Sequence, residues 1–229
     1  MLSGVALGYL VLFALVGAVV VGLIFLARRL EQKRRAALAA VAAELGFSFS
    51  PQRNPELAER VQHLRGLTQG TDQYAENIFV GVYRGQAVTV FEFRNMTTSS
   101  DSDNQTKTEQ HQWHIILLDL GRSFPGLTIA PENILTKVGK LFGQEDIEVE
   151  SRDFSRKFSI RSDDKTFAQD FCQARLTEFL LGRPSVTLEV SDRFLAFVHQ
   201  HGITPNRLRE ELDLAVDVRG RLPEHLFGP

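Results

Sequence analysis

The chain has 229 residues, room for one ordinary domain and an appendage. Its formal charge of −2 is unevenly spread: Met1 to Ala27 carry none, residues 28–35 carry a net +4, and residues 36–229 are left at −6. A mildly acidic body argues against nucleic acid as a partner, since phosphate binding needs clustered Lys and Arg. The single Cys172 rules out an internal disulfide and fits a reducing compartment.

Leu2 to Leu26 form an uncharged run that includes VLFALVGAVVVGLIFL. As a helix rising about 1.5 Å per residue, that run exceeds the roughly 30 Å of a bilayer's hydrocarbon core. A secretory signal peptide would place its basic residues before a shorter apolar core and a small-residue cleavage site after it. Here the positive charges follow the apolar run. Residues 1–27 are therefore expected to be a transmembrane anchor in the lipid bilayer of a bacterial cytoplasmic membrane. Arg28, Arg29, Lys33, Arg34 and Arg35 stand just beyond it. Cytoplasmic flanks retain Lys and Arg, so this cluster predicts an outside N-terminus and a cytoplasmic C-terminal domain. Gly4 and Gly8, then Ala14, Ala18 and Gly22, repeat a small-x-x-x-small spacing that lets two helices approach closely, a possible homodimer contact.

Residues 28–46 continue as a basic flank and helical stalk, rich in strong helix formers and stopped by Gly46. Residues 47–229 are expected to be the cytoplasmic domain. FSFSP reads as a short strand. NPELAERVQHLRG has Asn54 as N-cap, Pro55 at the first helical position, Leu57, Val61 and Leu64 on one face, and Gly66 as its end. YAENIFVGVYRGQAVTVFEFRN alternates as a hairpin turning at Arg84-Gly85. TTSSDSDNQTKTEQ is polar without apolar periodicity and reads as a loop, before a third strand in HQWHIILLDL.

PENILTKVGKLFG spaces Ile134, Leu135, Val138, Leu141 and Phe142 as an amphipathic helix closed by Gly143. IEVE and RKFSIRS read as strands. One helix follows, with Phe167, Ala168, Phe171, Cys172, Leu176, Phe179 and Leu180 on its apolar face. SVTLEVSDRFLAFVHQ reads as a second hairpin, and a last helix starts with Thr204 as N-cap and Pro205, presenting Leu208, Leu212 and Ala215. Mixed elements joined by short turns predict an α+β domain with a largely antiparallel sheet.

SRDFSRKFSIRSDDKTFAQDFCQARLTEFLL, with NIFVGVYRGQAVTVFEF and FPGLTIAPENILTKVGKLFG upstream, resembles a bacterial family of domains of unknown function, the one numbered thirty-one thirty-seven. The likeness spans roughly residues 36–200 and departs from that family's pattern at Ala174 and Arg175. It implies a membrane-associated domain. It brings no catalytic residue, because the family has none established.

The adjacent Asp163 and Asp164 suggest metal ligation or acid–base work, yet they stand where a strand becomes a helix. There, Ser162 or Asp163 can accept a hydrogen bond from a first-turn N–H and Asp164 suits the positive end of the helix dipole. Capping is the favoured reading for all three. His111 and His114 are three apart, so on a strand they point to opposite faces and cannot share an ion. His199 and His201 can project together, and read as a solvated strand end. Cys172 on an apolar face is expected to be inert. Lys157, Ser159 and Arg161 read as a solvated strand face. No nucleophile elbow, phosphate loop or dinucleotide fingerprint occurs, and neither a cofactor nor a metal is expected. The function these observations support is a binding or scaffolding module with a protein partner. The alternative is a membrane-tethered enzyme assembling acids such as Glu150, Asp163 and Asp164.

Overall fold

The structure is a computed structural model describing residues 2–61, 64, 70–100, 106–132 and 147–228. Two compact units make up the chain, Met1–Val41 and Ala42–Pro229. The first is the body of helix α1 (Leu2–Leu45), and among the described residues it is the one helix long and apolar enough to cross a membrane. Its apolar window has a mean hydropathy of 2.1, none of it buried. At about 1.5 Å per residue, 44 residues reach beyond any hydrocarbon core and carry the basic flank out of it. Glu31 pairs with Arg35 at 2.7 Å and with Arg34 at 3.8 Å within that flank.

The helix ends as its sequence dictates. Gly46 takes φ +71°, its N–H donates to the Ala43 carbonyl, and the Phe47 N–H donates to that of Ala42. This paired arrangement satisfies carbonyls that a helix end otherwise leaves open. Phe47 then lies against β2, where a Cβ on Gly81 would fall 2.3 Å from its ring. A hydrogen in place of a side chain is what lets the ring seat there.

The second unit is an antiparallel sheet with helices, the α+β architecture expected. Its strands are β1 (Ser48–Ser50), β2 (Thr71–Tyr83), β3 (Gln86–Ser100), β4 (Thr106–Pro131), β5 (Phe158–Ser162) and β6 (Leu188–His199). They pair in the order β1-β2-β3-β4-β5, with β6 also on β4. The β2–β3 hairpin turns at Arg84 and Gly85, both at positive φ, as a two-residue turn matching strand twist requires. Helix α2 (Pro55–Arg60) is capped by Asn54, whose Oδ1 accepts the Leu57 N–H at 2.9 Å. Ala58, Val61 and Leu64 pack with Phe91, Phe93, Ile115, Leu117 and Ala196 into a core on one sheet face.

Several expectations are corrected. The stretch expected to be a loop is mostly strand: β3 and β4 stay paired from Arg94↔Gln112 out to Ser100↔Thr106. Thr-rich sequence favours extended backbone, and an arm beyond the core needs no apolar face, so hydropathy alternation could not reveal it. IEVE forms no strand, although the Ile147 N–H donates to the Ile160 carbonyl at 2.8 Å. The second hairpin is one bent strand, β6, both halves of which pair with β4. Only Asp192 takes positive φ there, which gives a bend and a register shift rather than a two-residue turn. Arg193 holds the corner with two hydrogen bonds to Asp119, at 2.9 and 2.8 Å.

The expected helix after Asp164 is two, α4 (Lys165–Phe171) and α5 (Ala174–Leu181), broken at Cys172-Gln173 where the backbone leaves the helical region. Phe179 accordingly escapes the core, and Arg183 and Arg221 stack on its ring instead. The last helix, α6 (Leu208–Arg219), begins later than Pro205. The Thr204 carbonyl accepts the Arg207 and Leu208 N–H groups, forming a turn that leads into it. Of the face expected to be solvated, Lys157 is exposed and Arg161 half-buried, but Ser159 is buried. A four-residue helix, α3 (Arg152–Ser155), precedes β5. Gly66 and the helix expected over residues 134–143 lie outside the described residues.

Candidate functional site

Sheet register brings distant residues together. Trp113, Ile115 and Leu117 alternate onto the core face shared with α2, so His114 points to the other face. His114 stands directly opposite Glu92 of β3 and His199 of β6. Residues opposed across antiparallel strands share a face, so Glu92, His114 and His199 form a row. The His114 and His199 rings stack with centroids 5.0 Å apart.

Helix α6 covers this row, because Leu208, Leu212, Ala215 and Val218 are buried at helical spacing. Glu211 occupies the same buried stripe, 5 % exposed, and its Oε2 lies 3.3 Å from His114 Nδ1 without hydrogen-bond geometry. Glu92 secures the approach to α6. Its Oε1 accepts the Ile203 N–H at 2.7 Å and its Oε2 accepts the Asn77 amide at 2.8 Å. Asn77 reaches it from a bulge at φ +50°. The hairpin tip is tied to the same helix: the Tyr83 hydroxyl donates to Asp213 at 2.6 Å, and Arg84 pairs with Asp213 at 2.9 Å.

His201 stands at the mouth, its ring 5.4 Å from that of His199 and 6.1 Å from that of His114. Its Nδ1 lies 2.9 Å from the Gly202 carbonyl, which only accepts, so Nδ1 carries a hydrogen. An open groove of about 690 Å³ meets the cluster, lined by His199, His201, Arg207, Glu210, Glu211 and Asp217 among others.

Burial dominates the electrostatics. It holds His114 well below the ordinary imidazole range, helped by His199 and His201. It pulls His199 down to about 4, with His201 and Arg207 adding to the effect. Glu211 is raised by burial, partly offset by His201 and Arg207. Both imidazoles, His114 buried and His199 half-buried, are therefore neutral at pH 7, each with a lone pair able to bind an ion.

Of the residues singled out in the sequence, His114, His199 and His201 meet here, with His199 half-buried and not a fully solvated strand end; the others fall elsewhere. Asp164 is the N-cap of α4, its Oδ1 accepting the Phe167 N–H at 3.0 Å. Ser162 Oγ accepts the Asp164 N–H at 3.1 Å and donates to the Gly126 carbonyl at 2.6 Å. Asp163 is exposed. Glu150 lines a separate groove of about 890 Å³ with Thr166, Asp170 and Cys172, and neither Asp163 nor Asp164 joins it there. Burial pushes the Cys172 thiol up to about 12. His111 faces away from His114 and lies 2.7 Å from the Thr97 hydroxyl. Arg28, Arg29, Lys33, Arg34 and Arg35 lie on α1, as do Gly4, Gly8, Ala14, Ala18 and Gly22. The cluster of His114, His199 and Glu211 is absent from sequence reasoning. Its traces were a polar residue beside the run IILL and a glutamate on the apolar stripe of α6.

A helix of membrane-spanning length followed by an antiparallel α+β domain defines the class of protein. The particular likeness is to a crystal structure of the mycobacterial trehalose monomycolate transport factor A, TtfA, at TM-score 0.56 and 14 % identity. The alignment covers 82 % of this chain and 96 % of that one, so the two share a fold. No family model and no curated relative matches the sequence.

Proposed function

We propose that the chain is a single-pass membrane protein, N-terminus outside, whose cytoplasmic domain is a binding module that serves a membrane-embedded protein partner. The observation that carries this reading is the exposed apolar helix followed at once by ARRLEQKRR and then by an ordered domain. The shared fold with a transport factor supports an accessory role at a membrane over free catalysis. An intramembrane contact through Gly4, Gly8, Ala14, Ala18 and Gly22 fits the same reading.

Protease protection tests the topology. In intact spheroplasts the domain is expected to resist added protease and to be digested once the membrane is opened; digestion from outside reverses the orientation. Photo-crosslinkers placed on the domain surface test the partner. A discrete adduct with one membrane protein, lost when residues 1–27 are removed, is expected. Adducts unaffected by that removal defeat the membrane-partner reading.

A further inference from the structure

We propose that His114, His199 and Glu211 bind one divalent transition-metal ion of the zinc class, with the fourth coordination position open toward His201 and the groove. Their donor atoms all lie within 4.8 Å of one another. Zinc bonds of about 2.0–2.1 Å at tetrahedral angles put neighbouring ligand atoms about 3.4 Å apart. His114 Nδ1 and Glu211 Oε2 are 3.3 Å apart and are not hydrogen-bonded to each other. That spacing suits two ligands of one ion.

The buried polar groups need such an occupant. Both ring nitrogens of His114, Nε2 of His199 and both carboxylate oxygens of Glu211 have no hydrogen-bond partner among the described residues. Leaving a buried polar atom unpaired costs about 1–3 kcal/mol, and one ion ligated by one atom from each of the three side chains satisfies three of them at once. Two imidazoles and a carboxylate select zinc-class ions over magnesium or calcium, which take oxygen donors.

The surrounding charges permit it. Arg207, largely exposed, approaches the other Glu211 oxygen, Oε1, at 3.9 Å, which leaves Oε2 turned toward His114. Glu210 faces the same groove and offsets that cation. His201, its Nδ1 committed to the Gly202 carbonyl, stands beside the groove with its ring 5.4 Å from that of His199. Such an ion would pin α6 to β4 and β6 and set the shape of the groove. This inference does not depend on which way the chain crosses a membrane.

The test uses the full chain in detergent, stripped with chelator and titrated with Zn²⁺, Co²⁺, Cu²⁺ or Mg²⁺. One equivalent of Zn²⁺ is expected to survive gel filtration and to raise the thermal midpoint, with Mg²⁺ inert. Glu211→Gln and His199→Gln are each expected to weaken Zn²⁺ by at least about 100-fold, beyond the roughly 10–100-fold that losing a supporting group costs. His225→Gln, which breaks a surface His–Asp pair with Asp170, is expected to change nothing. If neither ligand variant folds, the Cu²⁺ spectrum of the unaltered chain decides, with hyperfine coupling to two imidazole nitrogens expected. No retained equivalent, an equal response to Mg²⁺, binding that survives both ligand variants, or fewer than two coupled nitrogens overturns the proposal.

Discussion

Asp163 and Asp164 are neighbours in the chain and exposed, and Asp164 is engaged with backbone at the start of α4. His114, His199 and Glu211 come from two strands and a helix, are largely withdrawn from water, and engage no backbone among the described residues. The first group is conspicuous in sequence and its chemistry is used up locally. A short acidic side chain at a strand-to-helix junction finds unpaired N–H groups within reach. The second group is inconspicuous in sequence, and its donors are left over after the backbone is satisfied. A site that can hold a ligand is one whose polar atoms the fold has not already consumed.

The largest effect should come from cutting the support beneath the second group. Glu92 holds both Asn77 and the Ile203 N–H, so Glu92→Leu strands two buried donors. At about 1–3 kcal/mol for each, a loss of about 4 kcal/mol is expected in urea unfolding followed by the fluorescence of Trp113, the only tryptophan. A loss under about 1 kcal/mol would show that the row of Glu92, His114 and His199 does not fix the approach to α6.

Cys172 sharpens the comparison from the other side, as a buried group with no ligand role. Its pKa is raised in the fold to about 12, against about 8.5 for an unfolded thiol. The folded state therefore holds the proton longer. The contribution is intact below about pH 8.5 and is lost as pH rises toward 12. Between pH 7 and pH 10 the chain should lose about 2 kcal/mol relative to its own Cys172→Ala variant, and native-state alkylation at pH 8 should be slow. Rapid alkylation of folded protein would refute the burial of the thiol.

Much of the fold was legible because local chemistry determines it. Asn54, Gly46, Arg84-Gly85 and the apolar anchor each follow from groups within a few residues. The site was not legible, because alternation says that His114 lies opposite Ile115 but not what covers it. That depends on the register of β4 with β6 and on the placement of α6, which long-range packing decides. The polar arm of β3 and β4 was missed because strand pairing there proceeds without an apolar face. The break between α4 and α5 was missed because the apolar spacing of Phe167 to Leu180 continues across it.

The smallest effect separates the two neighbouring aspartates. Asp164 accepts a first-turn N–H, so Asp164→Ala should cost about 1 kcal/mol, while Asp164→Asn, which keeps an accepting oxygen, should cost far less. Asp163 is exposed, so Asp163→Ala should cost less than Asp164→Ala, within about 0.5 kcal/mol of the parent. Thermal unfolding of the three variants orders them, and Zn²⁺ affinity should be the same in all. If Asp163→Ala weakened Zn²⁺ while leaving stability alone, the contrast would invert: the adjacent acids would be the ligands, and the buried imidazoles a packing arrangement.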